Sequence, residues 1–330
     1  MSTRMTCTLA IESLDDVASS WHKWRHCLKW GSVFVIPAWL RAWWQAFGGG
    51  AEPYLRVMRE GNEVIGFAPL QIKEKTASFV GSPDVCDYLD FAVAPDREND
   101  FFEMLLDDLN EGGVRRLELA PVRSDSTVLI HLAGMARSRG YQVLSRPEDV
   151  SLELDLPATW DDYLAVLDKK QRHEVRRKLR RLWETEDVEY RCLAADADVE
   201  QHVDVFLRLF ALSDDDKASF MNSRMESFFR LLALAMAEVG LLRLGILRVG
   251  DVPAAMTMGF DYDGSHYLYN SAYDPQFSRL SVGLLCKVLC LKDSIERGGG
   301  KWDFLKGSEP YKYRLGGREV PLHSCDITTG

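Results

Sequence analysis

The chain has 330 residues and a mass of 37.5 kDa, long for one hydrophobic core and ample for two domains. Hydrophobic residues at 46% and charged residues at 27% describe an ordinary globular protein, and a net charge of −10 argues against general nucleic-acid binding. Met1 to Ile11 lacks the basic-then-apolar pattern of a signal peptide, and no run approaches the roughly 18 apolar residues of a membrane span, so the expectation is a cytoplasmic protein without a transmembrane segment.

Taken in chain order, residues 14–28 and 37–47 read as helices, the second opening with Pro37 at a favoured first position. Tyr54 to Met58 and Val64 to Ala68 flank the turn Glu60-Gly61-Asn62-Glu63 and predict a hairpin. Further β pattern follows at 76–80 and 88–93, a helix at 97–111 and a strand at 115–120. A helix at 124–139 and strands near 141–145 and 150–156 close this half. A long helix over 159–184 opens the second half. Helices at 198–212 and 222–239 precede strands 241–249, 253–262 and 265–273. The dipeptides Gly250-Asp251 and Asp263-Gly264 mark the turns between those strands. A helix from 281 to 298 ends at Gly298-Gly299-Gly300, before the strand Trp302-Asp303-Phe304-Leu305.

The two halves repeat one another. Arg59 to Gly66 lines up with Arg248 to Ala255, Tyr88 to Pro95 parallels Tyr267 to Pro275, and Gly112-Gly113 matches Gly299-Gly300. Each half reads helix–helix–meander–helix–strand, which predicts an N-terminal domain over 1–156 and a C-terminal domain over 157–330, the latter entered through a basic helix at 159–184. The junctions between the last meander strand and the following helix differ. The first, Pro95 to Asp100, holds three carboxylates and no glycine; the second, Arg279-Leu280-Ser281-Val282-Gly283, offers a hydroxyl, a glycine and a positive charge at a helix start. Unpaired amides and the helix dipole favour an anion there, so only the second copy has a predicted anion site.

The seven cysteines are scattered without a Cys-x-x-Cys pair, and the seven histidines lack carboxylate or thiol companions at ligand spacing. Reduced thiols and no metal site are expected.

The combination of Tyr273-Asp274-Pro275, Ser281-Val282-Gly283 and Trp302-Asp303-Phe304-Leu305-Lys306-Gly307-Ser308-Glu309-Pro310-Tyr311-Lys312, together with the basic helix Arg172 to Arg181, resembles the CelD-type acyltransferases of the GNAT superfamily. The resemblance covers most of 150–315. It implies an α/β (α+β) fold of two tandem GNAT-like domains, each a mixed, mostly antiparallel sheet flanked by helices, related in architecture to the FemAB aminoacyl transferases. GNAT enzymes hold the pyrophosphate of acyl-coenzyme A at an arginine or glutamine followed by x-x-Gly-x-Gly/Ala. Here Gly283 fits the last glycine, Ser281 replaces the first, and Ser278 stands at the basic position beside Arg279. The implied reaction is direct transfer of an acyl group, acetyl first, from acyl-CoA to an amine or hydroxyl of a small-molecule, sugar or polysaccharide-precursor acceptor.

Acyl transfer to an amine needs a base, oxyanion stabilisation and a proton for the leaving thiolate. Asp303 and Glu309 are the candidate bases; the bland alternatives are a structural pairing of Asp303 with Lys312 or a loop amide, and a solvated loop carboxylate for Glu309. Tyr273 or Tyr311 could protonate the sulfur, although both also fit as packing residues. Lys306 and Lys312 could bind an anionic substrate group or orient a carboxylate. On the basic helix, Leu164, Leu167, Gln171, Val175, Leu179 and Leu182 form one face. Arg172, Arg176 and Arg180 make a ridge opposite a polyanionic substrate, a coenzyme phosphate, tRNA or an anionic membrane, unless it is simply a solvated face. A FemAB-like transferase using charged tRNA and a silent scaffold of a polysaccharide pathway are the rival readings.

Overall fold

The computed structural model describes residues 7–194, 198–213 and 215–329. Two compact units divide the chain: Met1–Asp149 with Val320–Gly330, and Val150–Glu319. The division falls a few residues before the 156/157 boundary read from the sequence, and the C-terminal segment belongs with the first unit.

The first unit runs β1 (Cys7–Ile11), α1 (Leu14–Trp24), α2 (Pro37–Phe47), β2 (Glu52–Glu60), β3 (Glu63–Lys73), β4 (Thr76–Phe79), β5 (Ala92–Val93), α3 (Glu98–Glu111), β6 (Arg116–Arg123), α4 (Ala133–Ser138) and the start of β7 (Gln142–Asp155). The second holds the end of β7, then α5 (Trp160–Val166), α6 (Lys169–Trp183), β8 (Val188–Leu193), α7 (Val199–Ser213), α8 (Asp215–Phe220), α9 (Ser223–Glu238), β9 (Leu242–Val249), β10 (Val252–Tyr262), β11 (Ser265–Tyr273), α10 (Val282–Glu296), β12 (Lys301–Lys306) and α11 (Pro310–Arg314). From β13 (Arg318–Thr328), Leu322–Thr328 pair with β6 in the first unit.

Strand order is β1-β2-β3-β4-β6-β13 in the first unit, with β5 beside β3, and β7-β12-β11-β10-β9-β8 in the second. Pairing is antiparallel except for β4 with β6 and β11 with β12. Each unit therefore has a three-strand meander, a helix that crosses over, and a strand returning parallel to the third. The amide of Ala94 bonds the carbonyl of Ile65, and the amide of Asp274 bonds that of Ala254, at 2.7 and 2.9 Å. The start of each junction, Ala94-Pro95 and Asp274-Pro275, is thus equivalent in the two units.

Four elements read from the sequence take a different form, and β1, β8, α8, α11 and β13 have no counterpart in that reading. The stretch 88–93 is strand only at Ala92–Val93, because β4 and β5 are two pieces of one interrupted meander strand, both pairing β3. Residues 124–139 form a wide π turn at Val128–Leu132 before α4. The strands near 141–145 and 150–156 are one strand, β7. The helix over 159–184 is two helices: Leu167 is extended, and Asp168 starts α6 by accepting from the Gln171 amide at 2.8 Å. The strand at 302–305 forms as read: Trp302 and Phe304 enter one core cluster, and a bulge falls between Asp303 and Leu305, with Leu305 at φ 64°.

One layer of the second unit's core lies between its sheet and the helices α5, α6 and α10; another joins Phe206 of α7 and Phe229 of α9 to Phe260 and Tyr269 of the sheet. Leu152, Tyr163, Leu164, Leu167, Val175, Trp302 and Phe304 make one cluster; Leu182, Leu247, Ala255, Val282, Leu285 and Leu289 make another. Val175 and Leu182 dock the otherwise charged α6, each contributing roughly 2 kcal/mol by burial. Among the described residues no helix is long and apolar enough to cross a membrane.

Candidate active site

Strands β11 and β12 pair over Ser265–Tyr267 with Lys301–Asp303, while β11 runs on to Tyr273, still paired with β10. At Tyr273 the Ser213 hydroxyl donates to the carbonyl at 2.9 Å and accepts from the amide at 2.8 Å, fixing the strand end. Asp274 then caps a short 3-10 turn, Pro275–Leu280, by accepting from the Gln276 amide. Ser281 follows at φ 58°, ψ 35°, a left-handed conformation uncommon for a residue with a side chain. That sharp bend aims the chain directly into α10.

The first intrahelical bonds of α10 run from the Leu284 and Leu285 amides to the Ser281 carbonyl, and Ser281 gives no side-chain cap. Val282 and Gly283 therefore present their amides at the helix mouth without an intrahelical acceptor. The Ser281 hydroxyl instead lies 3.4 Å from Nη2 of Arg181, on the inner side of α6. Arg181 Nε is buried without a hydrogen-bond partner. A cavity of about 280 Å³ opens here, lined by Tyr273, Ser278, Ser281, Val282, Gly283, Leu284, Lys287 and Tyr311. A Cβ at Gly283 would approach the Tyr273 ring to 3.0 Å, so glycine is what lets helix and ring lie this close.

Lys287 donates to the Gly283 carbonyl at 3.0 Å and sits 4.9 Å from the centre of the Tyr311 ring. Burial, reinforced by the charge of Glu309, raises the Tyr311 phenol above the usual tyrosine range. It therefore stays protonated at neutral pH.

Of the residues singled out from the sequence, Tyr273, Ser281, Val282, Gly283 and Tyr311 line this cavity. Val282 does so while its side chain is wholly buried in the core. Leu280 packs against the same core cluster, and Arg279 projects from the 3-10 turn as an exposed side chain.

Of the others, Asp303, Lys312 and Arg172 serve local structure, while Glu309 is an exposed carboxylate paired with Lys312. Asp303 is buried, accepting from the Ser151 hydroxyl at 3.1 Å and from the Leu305 amide at 2.7 Å, so it holds the bulge. Lys312 is buried too, donating to the carbonyls of Leu305, Lys306 and Gly307 at 2.9, 2.5 and 3.2 Å and to the Glu309 carboxylate at 2.9 Å. Arg172 donates to the carbonyls of Ala165 and Leu167, closing the C-terminus of α5. Arg176 is exposed on α6. Arg181 and Lys287 had not been selected from the sequence. Lys287 stands one helical turn after Gly283, and Arg181 directly precedes the buried Leu182; those spacings were the available signals.

The equivalent junction of the first unit has the opposite character. Asp96 takes the left-handed conformation at φ 63°, and Arg97 turns to Glu60 and Asp100 at 3.1 and 2.7 Å. Its one positive charge is committed among carboxylates.

Residues 169–313 match the family model of the acetyltransferase (GNAT) domain. This acetyltransferase-domain match lies wholly within the second unit and supports an acyltransferase. Among solved structures, FemX superposes with a TM-score of 0.67 at 12% identity, over 96% of each chain. The C-terminal domain of a putative lysylphosphatidylglycerol synthetase from Agrobacterium fabrum gives 0.59 at 9% identity, over 96% of this chain and 93% of that one. A tandem GNAT protein from the clavulanic acid biosynthesis pathway gives 0.50 at 11% identity, over 98% and 99%. At such identities the likeness speaks for the fold, which is a tandem GNAT-like one. No curated protein matches the sequence.

Proposed function

We propose that the protein transfers an acyl group from acyl-CoA to an amine acceptor by direct attack, at the mouth of α10. The observation that carries this reading is the buried, unpartnered Arg181 Nε beside an uncapped helix start, a donor set that an anionic diphosphate would satisfy. The amides of Val282 and Gly283, the Ser281 hydroxyl and Arg181 would hold the pyrophosphate of the coenzyme, which supplies the acyl group already activated as a thioester. Arg279, exposed on the preceding turn, is available to the adenosine-side phosphates.

The chain's own chemistry is then proton management. Tyr311, kept neutral by burial, holds a proton at Oη for the leaving sulfur. Glu309, whose charge acts on Tyr311, is the carboxylate assigned to take the proton lost by the amine. Tyr273 shapes the wall opposite Gly283. Asp303 and Lys312 act by holding the loop that carries Glu309 and Tyr311. Acetyl-CoA is the first donor to try, with a small-molecule or saccharide amine as acceptor.

The likeness of the fold to FemX favours one second reading, an aminoacyl group delivered by tRNA. Thermal stabilisation separates the two. A shift with acetyl-CoA that Gly283→Trp abolishes supports acyl-CoA, and a shift only with charged tRNA replaces it. No shift with either leaves a non-catalytic scaffold.

A further inference from the structure

Helix α6 has a face that the acyl-transfer reading does not use. Lys169, His173, Arg176 and Arg180 follow one another at steps of four, three and four residues, and Trp183 extends the line by three more. They form a single straight stripe about 21 Å long on the exposed side of the helix. All four basic residues are exposed, and Trp183 keeps 49% of its surface in solvent. Lys170 and Arg177 flank the stripe and are exposed as well. Just before the helix, Val166 is 50% exposed.

The acidic neighbours do not cancel this charge. Glu174 is shared between Arg177 and Lys178 at 2.9 and 3.4 Å. Asp168 is engaged with the Gln171 amide. Glu184 stands 3.8 Å from Arg180, with both side chains mostly in water, a pairing that is readily given up. A basic stripe has thus been built on a protein whose net charge is −10.

We propose that this face of α6 docks the protein on an anionic lipid surface. The chemistry fits that partner in three ways. A row of basic side chains on a straight helix meets a flat charged plane along its whole length. A tryptophan at the end of such a helix sits naturally at headgroup depth, with an exposed valine at the other end. The stripe has one aromatic at its terminus and none between its cations, so it offers no succession of stacking platforms for a nucleic-acid strand. Arg181, on the inner side of the same helix, faces the α10 mouth, so docking leaves the cavity's own cation in place.

The test is co-sedimentation of the full chain with phosphatidylcholine vesicles, with and without phosphatidylglycerol, at low and at physiological salt. The expected result is partitioning onto the phosphatidylglycerol vesicles that falls as salt rises. Each basic residue at the surface contributes about fivefold, so Arg176→Glu with Arg180→Glu should lower partitioning by at least about 25-fold. Trp183→Ala should lower it several-fold, with the circular dichroism spectrum of all variants unchanged. Equal binding to both vesicle types, no binding at low salt, or binding indifferent to the charge reversals would overturn the proposal. So would salt-sensitive binding of RNA, lost in the double variant, by a protein that ignores the vesicles. No coenzyme is needed for the readout, so failure here leaves the acyl-transfer reading intact.

Discussion

Arg181 Nη2 stands 3.4 Å from the Ser281 hydroxyl, joining residues one hundred positions apart. The contact brings the inner side of the basic helix to the start of α10, where Ser281 is bent into a left-handed conformation. Ser281 makes no side-chain cap, and the guanidinium leaves Nε buried and unpartnered. Two incomplete groups placed together make a donor set suited to a diphosphate. In the first unit the equivalent position is closed by Arg97 between Glu60 and Asp100.

Lys312 is expected to matter for stability rather than for turnover. Its ammonium satisfies three main-chain carbonyls behind β12. Lys312→Met should cost about 3 kcal/mol and lower the melting temperature by about 6 to 12 °C. Calorimetry checks this; a variant of unchanged stability that has lost activity would make Lys312 a catalytic group.

Arg172 and Arg176 should separate in the same way. Arg172→Ala removes the donors to Ala165 and Leu167 and should destabilise by about 1 to 2 kcal/mol, whereas exposed Arg176→Ala should stay within about 0.5 kcal/mol. Chemical denaturation measures both. An Arg172→Ala protein of full stability but raised KM would return Arg172 to substrate binding.

Tyr311→Phe should lower kcat about a hundredfold while coenzyme affinity changes less than about twofold. Because the phenol is raised above its usual value, the wild-type rate should not fall from loss of this acid below about pH 10. A pH–rate profile with a falling limb between pH 7 and 9 that vanishes in Tyr311→Phe would show that the phenol titrates too early for this role.

In the first unit, burial raises the Asp90 carboxyl from 3.8 to about 6, against the bonds it accepts from Thr127, Phe91 and Val128. The folded state then holds a proton more readily than the unfolded chain. Its stabilising contribution is full below about pH 4 and is lost as pH rises through 6. The wild type should therefore exceed Asp90→Asn by about 2 kcal/mol more at pH 4 than at pH 7.5. Paired denaturation curves at the two pH values decide it, and a pH-independent difference would contradict the shift.

The elements legible in the sequence were those with local punctuation. Pro37 opens α2 and Gly48 follows its end; Gly250-Asp251 and Asp263-Gly264 turn the meander of the second unit. What local signals do not encode is pairing at long range. β13 finds β6 some two hundred residues away, and nothing in Trp302–Leu305 announces the bulge that Asp303 holds. The break at Leu167 contains neither glycine nor proline. It depends on Asp168 as a cap and on Arg172 reaching back, and an unbroken run of helix formers masks both. At the site, Ser281 and Gly283 were visible as small residues at a helix start. Arg181 was not, because which cation of a basic helix faces inward is set by docking Val175 and Leu182.

The most direct measurement is calorimetric titration of coenzyme A into the wild type, Gly283→Trp and Arg181→Glu, with folding of each confirmed by its melting curve. The site described here predicts binding by the wild type, none by Gly283→Trp, and at least about tenfold weaker binding by Arg181→Glu. Coenzyme A bound equally by all three folded proteins would contradict it and move the site elsewhere in the chain.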